Sequence, residues 1–216
     1  MSEKKFSISD ALSFGAETFK KNAGLLIGAT VFIGFVSMLP NITARIFKDW
    51  PLMIILLGMC LWVLQVAIDL GLKKMYLRFC DSERGEFNDL FSCFRLHLLL
   101  RFFGGLILYM LITVGGFLLF IVPGVIWMIM FQFWFLFVID KGMGPIEALQ
   151  KSAEITRGIK WDLCVFGMIL MLITMAGFLC LGVGLLVAIP VTSLAYVYVF
   201  RKLSSEITQE ELPHST

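Results

Sequence analysis

Residues 102–139 carry no charged side chain, and neither do residues 163–200. Each block of about 38 residues would extend roughly 57 Å as one helix. The hydrocarbon core of a bilayer is only ~30 Å thick. Each block is therefore predicted to fold back as a hairpin of two membrane spans. The cheapest places to turn are Ile121-Val122-Pro123-Gly124 and Leu181-Gly182-Val183-Gly184, because proline and glycine interrupt a helix at least cost. Pro123, Gly124, Gly182 and Gly184 are thus the expected turn residues. That places a third span over residues 102–122 and a fourth from the Pro-Gly pair to Ile139. The fifth and sixth cover residues 163–181 and 182–200. Pro190 falls inside the sixth, where it frees a carbonyl and favours a kink.

Two earlier apolar runs, residues 23–39 and 51–72, complete a predicted set of about six spans. The chain is 59% hydrophobic and 16% charged, with mean hydropathy +0.89. A soluble domain carries about 25% charged residues, so this one lacks the polar surface to be soluble. The expected fold class is all-α: a polytopic helical bundle, read as a single integral membrane domain over residues 1–216. The first apolar run follows a polar, amphipathic segment with no cleavage motif after the run, so it is expected to stay as the first span.

Of the 18 Lys and Arg residues, all but Arg45 and Lys48 fall on one side of a six-span arrangement. The positive-inside rule then puts both termini in the cytoplasm. A net charge of +2 gives no support to nucleic-acid binding. Membrane lipids are the expected partners, with a membrane-protein partner or a second copy also open. The Gly24-x-x-x-Gly28 pattern in the first span is one place where helices approach closely.

Three polar segments precede the three hairpins, and each reads as an amphipathic helix: residues 9–22, residues 87–98 with Asn88 as a candidate cap, and residues 145–157. Such helices either lie flat on the bilayer or dock on the bundle. Asp10-Ala11-Leu12, Ala16-Glu17 and Lys20 recur as Glu147-Ala148-Leu149, Ala153-Glu154 and Arg157, 137 positions later. The pattern suggests three parallel repeats of a surface helix plus a two-helix hairpin, with units 1–80, 81–140 and 141–216.

No constellation for chemistry is recognisable. Phosphate-binding glycine loops, zinc-protease motifs and nucleophile elbows are missing from the sequence. The five cysteines form no Cys-x-x-Cys pair and have no histidine at ligand spacing. No catalytic residue, cofactor or metal site is therefore expected, and the chain is read as a non-enzyme. The intramembrane polar candidates are Asp69 and Gln132. Asp69 reads as an interfacial carboxylate one turn from Lys73, or as a transport site. Gln132 reads as an interhelical hydrogen-bond partner or a ligand for substrate. The cluster Phe131, Phe133, Trp134, Phe135 and Phe137 reads as an aromatic belt or the wall of a lipid groove.

Val122-Pro123-Gly124-Val125, the run from Asp140 to Leu149, Lys151-Ser152, Thr156, Gly158, Trp161, the run from Gly182 to Val187, and Pro190 carry a resemblance. Over about 80 residues the chain resembles a broad family of uncharacterised bacterial multipass membrane proteins. That family is similar to the membrane region fused to some glycerophosphodiester phosphodiesterases. Ala153 departs from the bulky residue usual after the serine. The resemblance implies a bacterial plasma-membrane (inner-membrane) location and no known reaction, because the phosphodiesterase catalytic domain has no counterpart in this sequence. Two functions follow as expectations: a non-enzymatic protein that engages lipids or membrane partners, or a small-solute or lipid transporter or channel.

Overall fold

The computed structural model describes residues 6–83, 85–180 and 184–210, with side chains described as far as Ser205. The described residues are helical, joined by short connections, and contain no strand. The amphipathic α1 (Ile8–Lys21) begins at Ser7, whose hydroxyl accepts the Asp10 amide at 3.3 Å. Lys20 and Lys21 close it in the last turn, complementing the helix dipole. The hairpin of α2 (Ala23–Ile46) and α3 (Pro51–Cys80) follows. Next come a 3-10 turn at Phe87–Phe91, α4 (Leu96–Leu119), α5 (Ile121–Phe131) and α6 (Trp134–Lys141). A second amphipathic helix, α7 (Pro145–Ile155), then leads into α8 (Lys160–Leu179) and α9 (Leu185–Glu210).

Six helices are long and apolar enough to cross a membrane, counting α5 and α6 as one span. Between 11% and 44% of each span's most apolar window is buried within the chain. The remaining apolar faces must meet lipid or another protein. Gly24 and Gly28 lie on such a face, with open space where a side chain would be.

Several expectations need correction. The third span starts at Leu96 and ends at Leu119, and the chain reverses at Phe120, not at Pro123-Gly124. Pro123 sits in the first turn of α5, where a missing N–H costs nothing because that donor has no helical partner anyway. Gly124 instead lets α5 close on α4: a Cβ there would lie 2.6 Å from the Phe117 ring. The turn expected at Gly182 lies outside the described residues. Gly184 is at the α8–α9 reversal, where a Cβ would lie 2.5 Å from the Gly177 carbonyl oxygen. Pro190 is inside α9, as expected. The helix foreseen over residues 87–98 reduces to the 3-10 turn. Its cap is the Glu86–Asp89 box and not Asn88, and Asp89 is held by Arg78 of α3 at 2.5 Å.

The second spans of the three hairpins form the centre. Here α3 packs against both α6 and α9, burying Met75, Tyr76, Phe133, Phe137, Leu194 and Phe200. Each polar segment docks on a central helix rather than lying free. α1 packs along α9, the 3-10 turn packs on α3, and α7 packs on α6 and α4. Two of these seats are backbone-close. A Cβ on Gly15 of α1 would lie 2.6 Å from the Val191 carbonyl oxygen, and one on Gly71 of α3 would lie 2.1 Å from that of Leu90.

Ala11 and Ala148, matched in the sequence pattern, are both fully buried. Leu149 is buried too, whereas Leu12 is only partly so. Leu149→Asp is therefore expected to cost about 2–5 kcal/mol, as deleting a core leucine and burying a carboxyl does, and Leu12→Asp distinctly less. Exchange mass spectrometry in lipid should show faster amide exchange across α7 in the first variant, and a weaker effect across α1 in the second. Equal, unchanged protection in both would mean that neither apolar stripe is seated.

Candidate functional site

The span formed by α5 and α6 is interrupted at Gln132-Phe133, where Phe133 takes φ −93° and ψ 0°. The interruption frees backbone groups, and α7 satisfies them. The Ser152 hydroxyl accepts the Phe133 amide and donates to the Met130 carbonyl, both at 3.1 Å. The Thr156 hydroxyl lies 3.1 Å from the same carbonyl. From α9, the Tyr196 hydroxyl donates to the Gln132 carbonyl at 2.9 Å.

Around this break the three central helices present a polar layer. Lys73 of α3 donates to the Ser193 hydroxyl of α9 at 3.1 Å and lies 5.6 Å from the centre of the Tyr76 ring. A cavity of about 350 Å³ on one side of Lys73 is lined by Asp69, Tyr109, Gln132 and Trp134. Another of about 320 Å³ is lined by Thr174, Thr192, Ser193 and Tyr196. Lys73 lines both. Tyr76 Oη and Gln132 Nε2 are buried without a hydrogen-bond partner among the described residues.

Eight residues further along each central helix comes a charged layer. Arg201 of α9 grips Asp140 of α6 with two hydrogen bonds, at 2.7 and 3.1 Å, and reaches Asp81 at the end of α3 at 2.5 Å. The fork geometry of guanidinium suits a bidentate carboxylate and leaves a nitrogen for a second one. Lys73, Gln132 and Ser193 thus precede Asp81, Asp140 and Arg201 in parallel.

A wider opening, larger than either of these cavities, lies between α5 and α8. It has a volume of about 570 Å³. Its walls are Ile121, Val122, Val125, Ile126, Ile129 and Cys164, and Arg157, Lys160 and Trp161 complete it. A neighbouring cavity of about 360 Å³, lined by Gln150 and Glu154 among others, shares Arg157 and Lys160.

The sequence candidates are therefore brought together in part. Asp69 and Gln132 share one cavity, which Lys73 also lines. Gln132 makes its cross-helix hydrogen bond through its backbone carbonyl, not its side chain. Within the aromatic cluster, Phe133, Trp134 and Phe137 are buried at the centre, where Phe133 packs on Tyr196 and Phe200. Sequence reasoning missed the Arg201 grip, whose signal was a charged residue near the end of each central span, acidic at two and basic at the third. It also missed the hydroxyl pair Ser152 and Thr156. Outside the spans, burial holds the Cys93 thiol above its usual range, although the Ser92 hydroxyl offsets part of this. Such a thiol is a poor nucleophile.

Fold and site together define a multipass helical membrane protein built round three central helices. The chain belongs to the family described as Domain of unknown function (DUF7847), which matches residues 94–208, just over half its length. It is 37% identical over 101 residues to the uncharacterized protein Mb2590 of Mycobacterium bovis and to the uncharacterized protein MT2637 of Mycobacterium tuberculosis. Each alignment covers 46% of this chain and 30% of the relative, so the chain spans well under two thirds of their length. No solved structure matches it.

Proposed function

We propose that this chain is a non-enzymatic multipass protein of the bacterial inner membrane, with both termini cytoplasmic, that engages membrane lipids or a membrane-protein partner. The observation that carries this reading is where binding capacity is left open. Several polar groups at the centre are tied within the chain, Lys73 to Ser193, Tyr196 to Gln132, and Arg201 to Asp140 and Asp81. The opening between α5 and α8 is apolar-walled, and much of each span's apolar surface is uncovered by the chain itself. The distribution of Lys and Arg supports the orientation, and the bacterial relatives support the location. Kinship with the membrane region of glycerophosphodiester phosphodiesterases belongs to the same reading, supported by the motif residues 122–125 and 140–149 within the family match. So do three parallel repeats, supported by the way each polar segment docks on the second span of the preceding unit, α1 closing the cycle on α9.

One observation favours a second reading, a transporter or channel: Asp69, Lys73 and the unpartnered Gln132 Nε2 meet around one cavity. Asp69→Asn and Gln132→Leu separate the two. Under the first reading, both variants should fold and retain the lipids or partners seen for the parent by native mass spectrometry in nanodiscs. Variants that fold normally yet lose the phenotype of the intact gene would favour transport.

A further inference from the structure

We propose that the groove between α5 and α8 seats one anionic glycerophospholipid, its phosphate on Arg157 and Lys160 and an acyl chain along Val125, Ile126 and Ile129. This rests on reading the chain as a lipid-engaging membrane protein, and it names the ligand and its place.

Charge complementarity carries the assignment. Arg157 and Lys160 line both the apolar groove and the more polar cavity beside it, so two cations stand where the apolar wall ends. Neither side chain has an ion-pair partner among the described residues. The nearest acidic group of α7, Glu154, is held by Lys151 at 3.1 Å. Trp161 is 84% exposed beside them, as an indole at a membrane interface is. Aliphatic walls, a cationic end and an interfacial tryptophan match the three parts of a phospholipid.

Size argues against a partner helix. The groove holds about 570 Å³. A helix about 10–12 Å across fills roughly 500 Å³ with a single turn, whereas an acyl chain is far thinner. Headgroup chemistry argues against phosphatidylcholine, whose own quaternary ammonium would be brought up to Arg157 and Lys160.

The test uses the full chain in nanodiscs of phosphatidylcholine with a minority of phosphatidylglycerol, read by native mass spectrometry. The parent should retain phosphatidylglycerol in preference to phosphatidylcholine. Arg157→Gln/Lys160→Gln should lower the apparent affinity for it roughly thirtyfold, the scale of two cation contacts near a membrane surface. Val125→Trp, which fills the groove without touching a charge, should do the same. Arg45→Gln/Lys48→Gln, which removes the two cations outside the main basic set, should behave like the parent. Undiminished retention in the charge variant overturns the placement while leaving lipid engagement standing. Equal retention of both lipids by the parent overturns the anionic assignment. A parent that retains neither lipid overturns lipid engagement itself and leaves the membrane-protein partner as the reading. A polypeptide held by the parent and lost from both groove variants replaces the lipid as occupant.

Discussion

Gly71→Val is expected to abolish folded protein. Gly71 lies where α3 receives the segment Phe87–Phe91, and a Cβ there would sit 2.1 Å from the Leu90 carbonyl oxygen and 2.5 Å from its carbon. Those are backbone atoms, so no rotamer change relieves the overlap. Overpacking against side chains costs about 1–3 kcal/mol. Forcing two backbones apart exceeds that, against a total stability of about 5–15 kcal/mol. The displaced segment would also withdraw Asp89 from Arg78. Gly34→Val is the control, because nothing lies within 4 Å of the position a Cβ would take there. The measurement is the yield of monodisperse protein in detergent. Equal yields for the two variants would mean that the Phe87–Phe91 segment is not seated on Gly71.

Arg201→Met should give the second large loss, about 2–4 kcal/mol. Removing one partner of a half-buried ion pair strands the other charge in a poorly solvated place. Asp140 and Asp81 would then face each other without a cation. The two carboxylates are not equivalent, with Asp140 16% exposed and accepting two hydrogen bonds while Asp81 is 40% exposed and accepts one. Asp140→Asn should therefore destabilise more than Asp81→Asn. Heating in detergent, followed by the fraction surviving gel filtration, ranks all three. If Asp81→Asn is as costly as Arg201→Met, the grip is not centred on Asp140.

The span-forming blocks were legible because hydropathy over some 20 residues is a collective signal. The break at Gln132-Phe133 was not. It contains no proline or glycine, and it persists because the hydroxyls of Ser152 and Thr156, far along the chain, take up the freed backbone groups. Phe120 was hidden by Pro123-Gly124, which signals a helix start as readily as a turn. Hydropathy also cannot tell an apolar face turned to lipid from one turned to the centre, which is why Phe133 and Phe137 read as a belt. The polar layer was half visible: Asp69 and Gln132 stood out as polar residues within apolar runs. Their neighbour Ser193 comes 120 residues after Lys73, and no local pattern records such a pairing.

The seat of α1 on α9 ties the order of synthesis to the order of folding. Translation runs from the N-terminus, so α1 emerges well before α9, the helix whose surface it packs on. Phe14 has no Tyr198 to stack on, and Gly15 has no Val191 to approach, until α9 has been made. Lys73 and Asp81 likewise wait for Ser193 and Arg201. The first hairpin enters the membrane with its interior face incomplete, and the arrival of α9 supplies the missing packing surface, hydroxyl and guanidinium together. The packing of these helices thus waits on a single closing event, and a nascent chain that stops short of α9 lacks all three at once.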